Sequence, residues 1–312
     1  IEDEYVHLDM RHLGEERIID RLENILHLAE DFEGVDGLEE PMPVKPGQHY
    51  AMGGIEVNEN GQTCIEGLYA AGECACVSLH GGNRLGGNAL PELLVFGARA
   101  GNHAAGEDLK EAEIATGPGA RSEDGDVDTP VAPGAIPGSE DNVVADGAMV
   151  EPEEVMDHHV AVEDRRIEEL LSRDEGVNQA EVRADVQETM TANVNVFREK
   201  DNIKQALEDL RVARERYQDV YVRDPSRTFN TDLIHTIETR NIIDVAESIA
   251  LGALAREEFR GAHWRQEFQF RDDEDWIKHT MLAWNEGTPD LYYKPVLLES
   301  EWNEYEPVER HY

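Results

Sequence analysis

The apolar residues of this chain repeat with different periods in different regions. Residues 15–31 and 161–259 repeat them every three to four positions, which predicts amphipathic helices, one in the first region and four in the second. Residues 53–73 alternate apolar and polar positions around glycines, which predicts short strands. The pattern therefore predicts an α+β chain in which a helical domain follows a smaller mixed segment.

The helical stripes predict a buried face on each helix, because helices pack through their apolar sides. In residues 15–31 these residues are Ile18, Ile19, Leu22, Ile25, Leu26 and Leu28. In the helical domain they are Ile167, Leu170 and Leu171, then Val182, Val186, Met190, Val194 and Phe197, then Ile203, Leu207, Leu210 and Tyr217, and finally Leu233, Ile237, Ile243, Ile249 and Leu254.

The mixed segment predicts a hairpin followed by a buried strand. Residues 55–57 and 64–66 flank a turn at residues 58–61, and residues 67–72 (GLYAAG) are rich in glycine and alanine. Glu73 comes directly after this strand, where a carboxylate can accept hydrogen bonds from sugar hydroxyls. An ordinary surface glutamate is the alternative.

A glycine-rich loop follows at residues 80–88 (HGGNRLGGN), with Arg84 at its centre. Glycine loses more conformational freedom on folding than any other residue, so such a loop indicates unusual backbone angles or close contacts. A guanidinium binds a carboxylate through two parallel hydrogen bonds, which makes Arg84 a candidate ligand for an acidic substrate. A structural ion pair is the alternative.

Asn88 is a suitable N-cap for a helix over residues 89–101, and Pro91 in its first turn does no harm. Leu90, Leu93, Leu94, Phe96 and Gly97 are the apolar residues expected to pack on a core. The amides of the first turn form a positive end that suits a negatively charged ligand. A capped core helix without a ligand is the alternative.

The net charge of −40 makes nucleic acid an unsuitable partner, since phosphates would be repelled. Six lysines among 312 residues, with 68 acidic residues, favour a salt-rich cytoplasm in which repulsion between carboxylates is screened. We therefore expect a halophilic source, an archaeon, and a fold that weakens at low ionic strength.

Three cysteines are too few for a disulfide framework, and Cys74 and Cys76 lack the partners of a metal site, so they are expected to be buried and structural. Residues 107–160 are rich in Gly, Pro and acids and predict a solvated acidic loop. Its carboxylates at Glu123, Asp124, Asp126 and Asp128 lack the spacing of a calcium loop. No apolar run approaches the length of a membrane span.

Three segments together resemble the flavoprotein subunits of succinate dehydrogenase and fumarate reductase. They are residues 49–54 (HYAMGG), 67–73 (GLYAAGE) and 80–88. Weaker similarity lies in residues 8–14, 260–263 (RGAH), 271–273 (RDD) and 276–280 (WIKHT). The resemblance covers nearly the whole chain and is weakest over residues 107–160.

The resemblance implies a substrate site. In that family the residues matching His49 and Arg84 bind one carboxylate of succinate or fumarate, and the backbone at Gly87 contributes. His49 lies between turn residues, so only the resemblance of the neighbouring motifs distinguishes it from an ordinary surface histidine.

The resemblance also implies an FAD site. The residue matching Glu73 contacts FAD, and the backbone at Ala89 and Leu90 meets the flavin ring. The family usually has Ser at the position of Ala89 and often Ala at that of Gly82. Because the first contact is made by backbone, neither departure removes the expected site.

Several catalytic and cofactor-binding residues of the family have no counterpart in this chain. We expect the proton-transferring Arg, the Gly-x-Gly-x-x-Gly turn and the His that binds FAD covalently to lie upstream of Ile1. No catalytic residue is therefore assigned here, and the chain is expected to be the C-terminal half of a subunit, inactive alone. The expected organisation is the end of a capping domain and hinge (1–48), the C-terminal part of an FAD-binding α/β domain (49–106), the acidic loop (107–160), a helical domain (161–260) and a C-terminal region (261–312).

The implied function is succinate oxidation to fumarate. Electrons would pass through FAD to an iron–sulfur subunit, membrane anchor subunits and quinone at the cytoplasmic face of the membrane. Fumarate reductase is the same chemistry in reverse. A non-catalytic assembly or interaction role is a second alternative. L-aspartate oxidase is a third, although its C-terminal region lacks the patterns at residues 271–273 and 276–280.

Overall fold

A computed structural model of the chain describes residues 5–45, 47–106, 152–285 and 288–299. The chain divides into two compact units, residues 1–51 and residues 52–312. None of the described helices is long and apolar enough to cross a membrane.

The first unit is a small strand pair with one helix. β1 (Val6–Leu8) pairs antiparallel with β2 (Met42–Val44), and α1 (Glu15–Glu33) connects them after a short 3₁₀ turn. The sequence predicted α1. It did not predict β2, which lies in the stretch expected to be a hinge.

The core of this unit uses only part of the apolar stripe on α1. Ile18 is 1% exposed and packs with Met10 and Met42. Ile19 and Leu28 are exposed at 45% and 52%, contrary to the predicted buried face. Two short strands within this unit cover one side of a 19-residue helix, so the flank of the stripe stays uncovered.

The second unit opens with a two-stranded parallel pair, β3 (Ile55–Glu56) and β4 (Ala75–Cys76), followed by α2 (Ala89–Ala104). The predicted hairpin was wrong, because β3 pairs with β4 and not with residues 64–66. The turn at residues 58–61 is confirmed. Its Gly61 has a φ of +72° and donates to the Asn58 carbonyl at 2.9 Å.

The expected buried strand over residues 67–72 is also wrong. Tyr69 forms one antiparallel bridge with Gln62, Ala70 is buried and Leu68 is 46% exposed. The prediction of a buried cysteine pair fails too, since Cys74 is exposed and Cys76 half-buried.

Four helices form the helical domain: α3 (Pro152–Leu171), α4 (Gln179–Asn193), α5 (Lys200–Tyr217) and α6 (Thr231–Ala255). The sequence predicted all four. α3 begins at Pro152, inside the stretch expected to be an acidic loop. The rest of that stretch, residues 107–151 with its carboxylates, lies outside the described residues.

The predicted stripes of α4 and α5 meet part of the α6 stripe in one core, whereas the stripe of α3 packs with Leu233 and Ile237 of α6 in a second cluster. Val182, Ile203, Leu210 and Ile243 have no exposed surface. Burial of such a side chain contributes about 1.5–3 kcal/mol, so this cluster is a main source of the domain's stability. Phe197 and Ile249 depart from the prediction and are 63% and 42% exposed.

The C-terminal region adds an antiparallel ribbon, β5 (Lys278–Asn285) and β6 (Thr288–Pro295), which the sequence did not predict. One of its aromatic residues, Trp284, contacts the helical domain. The Trp284 indole donates to Ser248 Oγ at 3.3 Å on α6, and the Arg214 guanidinium lies 5.1 Å from the Trp284 ring centre. Trp302 lies outside the described residues.

Candidate functional site

The glycine-rich loop at residues 80–88 forms two successive turns before α2. Gly81 and Gly87 have φ angles of +57° and +84°, in the left-handed region that favours glycine. The Asn88 amide donates to the Leu85 carbonyl at 3.1 Å and closes the second turn directly before the helix. The glycines therefore serve backbone geometry, as the sequence indicated.

Arg84 lies between these turns and is half-buried. Its Nη1 donates to the Leu85 carbonyl at 3.4 Å, which is a long hydrogen bond. The binding of a substrate carboxylate by this guanidinium through two parallel bonds stays a prediction.

The first turn of α2 differs from its prediction. Asn88 already has helical backbone angles, and within the described residues its side chain accepts no hydrogen bond from the first turn. Leu90 and Leu94 are 70% and 74% exposed, whereas Glu92 is 3% exposed. The expected capped, core-facing helix is therefore wrong in orientation, and its apolar side is open.

Glu73 lies in a tight turn that packs against α2. Gly72 has a φ of +83°, and its carbonyl accepts a hydrogen bond from the Ala75 amide at 2.8 Å. A Cβ atom at Gly72 would lie only 2.3 Å from Leu93 Cδ2. The absence of a side chain there brings this turn, with the exposed Glu73, against the helix that begins at Ala89.

The far end of α2 is tied to the same segment. Arg99 donates to the Glu59 carbonyl at 2.6 Å and to Asn60 Oδ1 at 3.0 Å. The Tyr69 hydroxyl and His103 Nδ1 are 2.7 Å apart. These contacts fix the helix, and so the direction of its N-terminus, on the turns at residues 58–61 and 67–73.

His49 belongs to the first unit, where it is exposed in the irregular stretch after β2. The other candidates, Arg84, Gly87, Glu73, Ala89 and Leu90, lie together in the second unit. That His49 and Arg84 bind the same substrate carboxylate stays a prediction.

A buried charged cluster was missed by the sequence analysis. Glu258 follows α6 and has no exposed surface. Its Oε1 accepts hydrogen bonds from Arg256 Nε at 2.8 Å and Arg260 Nε at 2.7 Å. Its Oε2 accepts from Arg260 Nη2 and from the Asp272 amide, both at 3.0 Å. Two arginines flanking two glutamates at residues 256–260 were the available signal, but charge patterns alone do not indicate burial.

This cluster continues into the RDD segment. Arg260 Nη2 also donates to Asp273 Oδ1 at 2.7 Å, and Arg271 Nη2 donates to Asp273 Oδ2 at 2.6 Å. Paired guanidinium groups lower the pKa of Asp273 and outweigh the effect of its burial. The cluster therefore joins residues 256–260 to residues 271–273 through ionised side chains.

His263 is held in its neutral form beside the same cluster. Its Nε2 lies 3.1 Å from the Arg256 carbonyl, and Arg198 Nη1 lies 3.3 Å from its Nδ1. A tautomer with the proton on Nε2 satisfies both contacts. Burial lowers the pKa of His263 from its usual 6.5 to about 4, and the neighbouring arginines act in the same direction.

Within the described part of the chain, no group of three or more His, Cys, Asp or Glu side chains is arranged to hold a metal ion.

Comparison with known proteins identifies two matching families. The family described as FAD binding domain matches residues 2–90. The family described as Fumarate reductase flavoprotein C-term matches residues 183–312.

Both enzyme names occur among the individual relatives, one in each case. The chain is 37% identical over 294 residues to the fumarate reductase flavoprotein subunit of Haemophilus influenzae, covering 94% of this chain and 43% of the relative. It is 36% identical over 307 residues to the succinate dehydrogenase flavoprotein subunit of Coxiella burnetii, covering 95% and 45%. A solved structure of E. coli quinol fumarate reductase matches with a TM-score of 0.74 and 36% identity, covering 94% of this chain and 44% of that one. The chain thus spans a little under half the length of these relatives.

Proposed function

The chain belongs to the family of succinate dehydrogenase and fumarate reductase flavoprotein subunits, of which it represents a part, and on this premise we propose that the protein containing it oxidises succinate to fumarate. The residues of the glycine-rich loop and of the first turn of α2 form part of the substrate and FAD sites.

The observation that carries this proposal is the position of Arg84. It is half-buried in a loop whose turns require glycine, directly before an uncapped helix N-terminus. Arg84 binds one carboxylate of succinate through two parallel hydrogen bonds, and the Gly87 amide donates to the same carboxylate. His49 is the further ligand, donating from its imidazole.

The residues present fit FAD. The first-turn amides at Ala89 and Leu90 are not capped by Asn88, so they can donate to the flavin ring, where the positive end of the helix stabilises negative charge. Glu73, exposed in the turn against α2, accepts hydrogen bonds from a sugar hydroxyl. FAD, when bound, supplies the two-electron acceptor for the reaction.

The remaining parts of the catalytic cycle are assigned outside this chain. We propose that proton transfer and covalent attachment of FAD depend on residues upstream of Ile1. An iron–sulfur subunit and membrane anchors would receive the electrons, with the flavoprotein peripheral at the cytoplasmic face. The support is the match to a chain of a quinol fumarate reductase.

The direct test uses the native protein that contains this chain, isolated in high salt. We expect flavin absorbance that survives acid precipitation and succinate-dependent reduction of an artificial electron acceptor. A native protein without flavin, or one that oxidises L-aspartate and not succinate, would overturn the proposal. The first result would favour a non-catalytic role, and the second would favour L-aspartate oxidase.

Fumarate reductase is the second candidate, because the relatives carry both names. The two enzymes share the site residues and differ in the preferred direction of electron flow. Rates of succinate oxidation and fumarate reduction, measured on the same preparation at matched driving force, would distinguish them.

We also propose that the protein works in a salt-rich cytoplasm. A net charge of −40 on 312 residues repels itself, and salt screens that repulsion. The free energy of unfolding should rise with potassium chloride concentration up to molar levels. A protein equally stable in dilute buffer would contradict this proposal.

A further inference from the structure

The segment after α6 makes a direct contact with the glycine-rich loop. The Ala262 amide donates to the Gly82 carbonyl at 2.9 Å, two residues before Arg84. A Cβ atom at Gly261 would lie 2.4 Å from the Gly82 carbonyl carbon, and one at Gly82 would lie 2.9 Å from the Arg260 carbonyl oxygen. The two backbones therefore touch, with glycine on both sides of the contact.

The turn that makes this contact is short and tightly closed. Arg260 and His263 exchange two backbone hydrogen bonds of 3.0 Å, and Gly261 between them has a φ of +59°. The turn contributes no carboxylate of its own to the loop, so its effect on Arg84 comes through position.

The buried cluster fixes this turn. Glu258 has no exposed surface, and Arg260 places Nε on one of its carboxylate oxygens at 2.7 Å and Nη2 on the other at 3.0 Å. Such a paired arrangement restrains direction as well as distance, which a lysine ammonium does not. Arg260 also reaches Asp273, so the turn is anchored from two sides.

We propose that Glu258 and Arg260 are positioning residues for substrate binding: they hold the turn at residues 260–263 against Gly82 and thereby set the location of Arg84. This inference rests on the proposed role of Arg84 as the ligand of a substrate carboxylate. The cluster touches no substrate in this scheme and acts through the backbone of the loop.

The test compares Arg260→Lys with Arg214→Lys in the native protein that contains this chain. Arg214 is a matched control, because it also pairs with two carboxylates, Asp244 at 2.6 Å and Glu247 at 2.7 Å, but lies in the helical domain. We expect Arg260→Lys to raise KM for succinate and the dissociation constant of malonate by about tenfold, with a smaller change in kcat and unchanged FAD content, since misplacement of a binding group weakens its contact. Arg214→Lys should leave both constants unchanged.

A second readout does not depend on activity. Hydrogen–deuterium exchange at residues 80–88 should rise in Arg260→Lys and not in Arg214→Lys, because the loop loses its support. If exchange rises while succinate is not a substrate of the wild-type protein, the support of the loop stands and the proposed function fails. If exchange and KM are both unchanged in a folded Arg260→Lys protein, the positioning role is wrong.

Gly261→Ala keeps the test decisive if Arg260→Lys does not fold. Its added Cβ would lie 2.4 Å from the Gly82 carbonyl carbon, at the contact itself. We expect a rise in KM for succinate and faster hydrogen–deuterium exchange at residues 80–88. An unchanged KM in the folded variant would overturn the proposal, since the contact would then have no influence on Arg84.

Discussion

The helical domain and the segment of residues 52–106 differ in how far the apolar sides of their helices are buried. α4, α5 and α6 bury their apolar faces against each other, and Leu210 has no exposed surface. α2 turns its apolar side outwards, with Leu94 74% exposed, while Glu92 is buried. All four helices carry an apolar stripe in the sequence, so the stripe alone does not indicate which neighbour covers it.

The difference indicates which contacts hold each region together. In the helical domain, α4, α5 and α6 bury apolar faces in one core within the described residues. The α2 segment is held by backbone turns and a few side-chain contacts, such as Arg99 on the Glu59 carbonyl. A large exposed apolar side on such a segment is typical of a surface that is covered in the whole protein.

A pair of leucine substitutions makes the sharpest test of this contrast. Leu210→Ala should lower the free energy of unfolding by about 2–5 kcal/mol, because it leaves a cavity in a closed core. Leu94→Ala in the same 312-residue chain should change it by less than about 0.5 kcal/mol. Chemical denaturation measures both, and equal losses would show that α2 is packed more tightly than described.

Arg84→Ala separates function from stability. It should lower kcat/KM for succinate by about two orders of magnitude or more, close to 3 kcal/mol, because a bound carboxylate loses its paired donors. FAD content should stay unchanged. Arg211→Ala, an exposed arginine on α5, is the control and should leave turnover as it is. Normal turnover in Arg84→Ala would remove this residue from the substrate site.

The junction between the two regions should depend on pH through His263. Its pKa is about 4 in the fold against the usual 6.5, so between these values the unfolded chain binds a proton and the fold does not. The stability that His263 contributes is therefore complete above its usual pKa and is lost as the pH falls towards about 4. Denaturation at about pH 7 and about pH 5, at constant salt, should give a smaller difference for His263→Asn than for the unchanged chain. An equal difference would exclude His263 as the cause.

The smallest effect is expected from the helix caps. The Asn178 side chain accepts a hydrogen bond from the Ala180 amide at 2.9 Å at the start of α4, whereas Asn88 makes no such bond at α2. Asn178→Ala should cost about 1 kcal/mol of stability, and Asn88→Ala should cost much less. Similar losses in thermal unfolding would mean that Asn88 also caps its helix in solution.

The sequence was most informative where structure is local. It predicted α1, α2 and the four helices of the helical domain, and it located the turn at residues 58–61. It failed for the hairpin, since β3 pairs with β4 across the intervening residues 57–74. It also missed the β5–β6 ribbon, whose residues show no regular alternation.

The candidate site divides in the same way. Arg84, Gly87 and the start of α2 are neighbours along the chain, and the loop's glycines indicated their geometry. The contact of Ala262 with Gly82 joins positions 180 residues apart (262 − 82), so no local pattern could indicate it.

By itself, the sequence determined the helices, the glycine-rich loop and the family. The backbone hydrogen bonds of a helix join residues four positions apart, so a short stretch of sequence already contains the periodicity that predicts it. The tertiary structure alone decided which side of α2 is buried, what pairs with β3 and where the charge of Glu258 lies. Strand pairing depends on partners distant in the chain. Glu258 pairs with Arg256 and Arg260, which are close in sequence, but its burial also involves the distant Asp272 amide, which only folding brings to it.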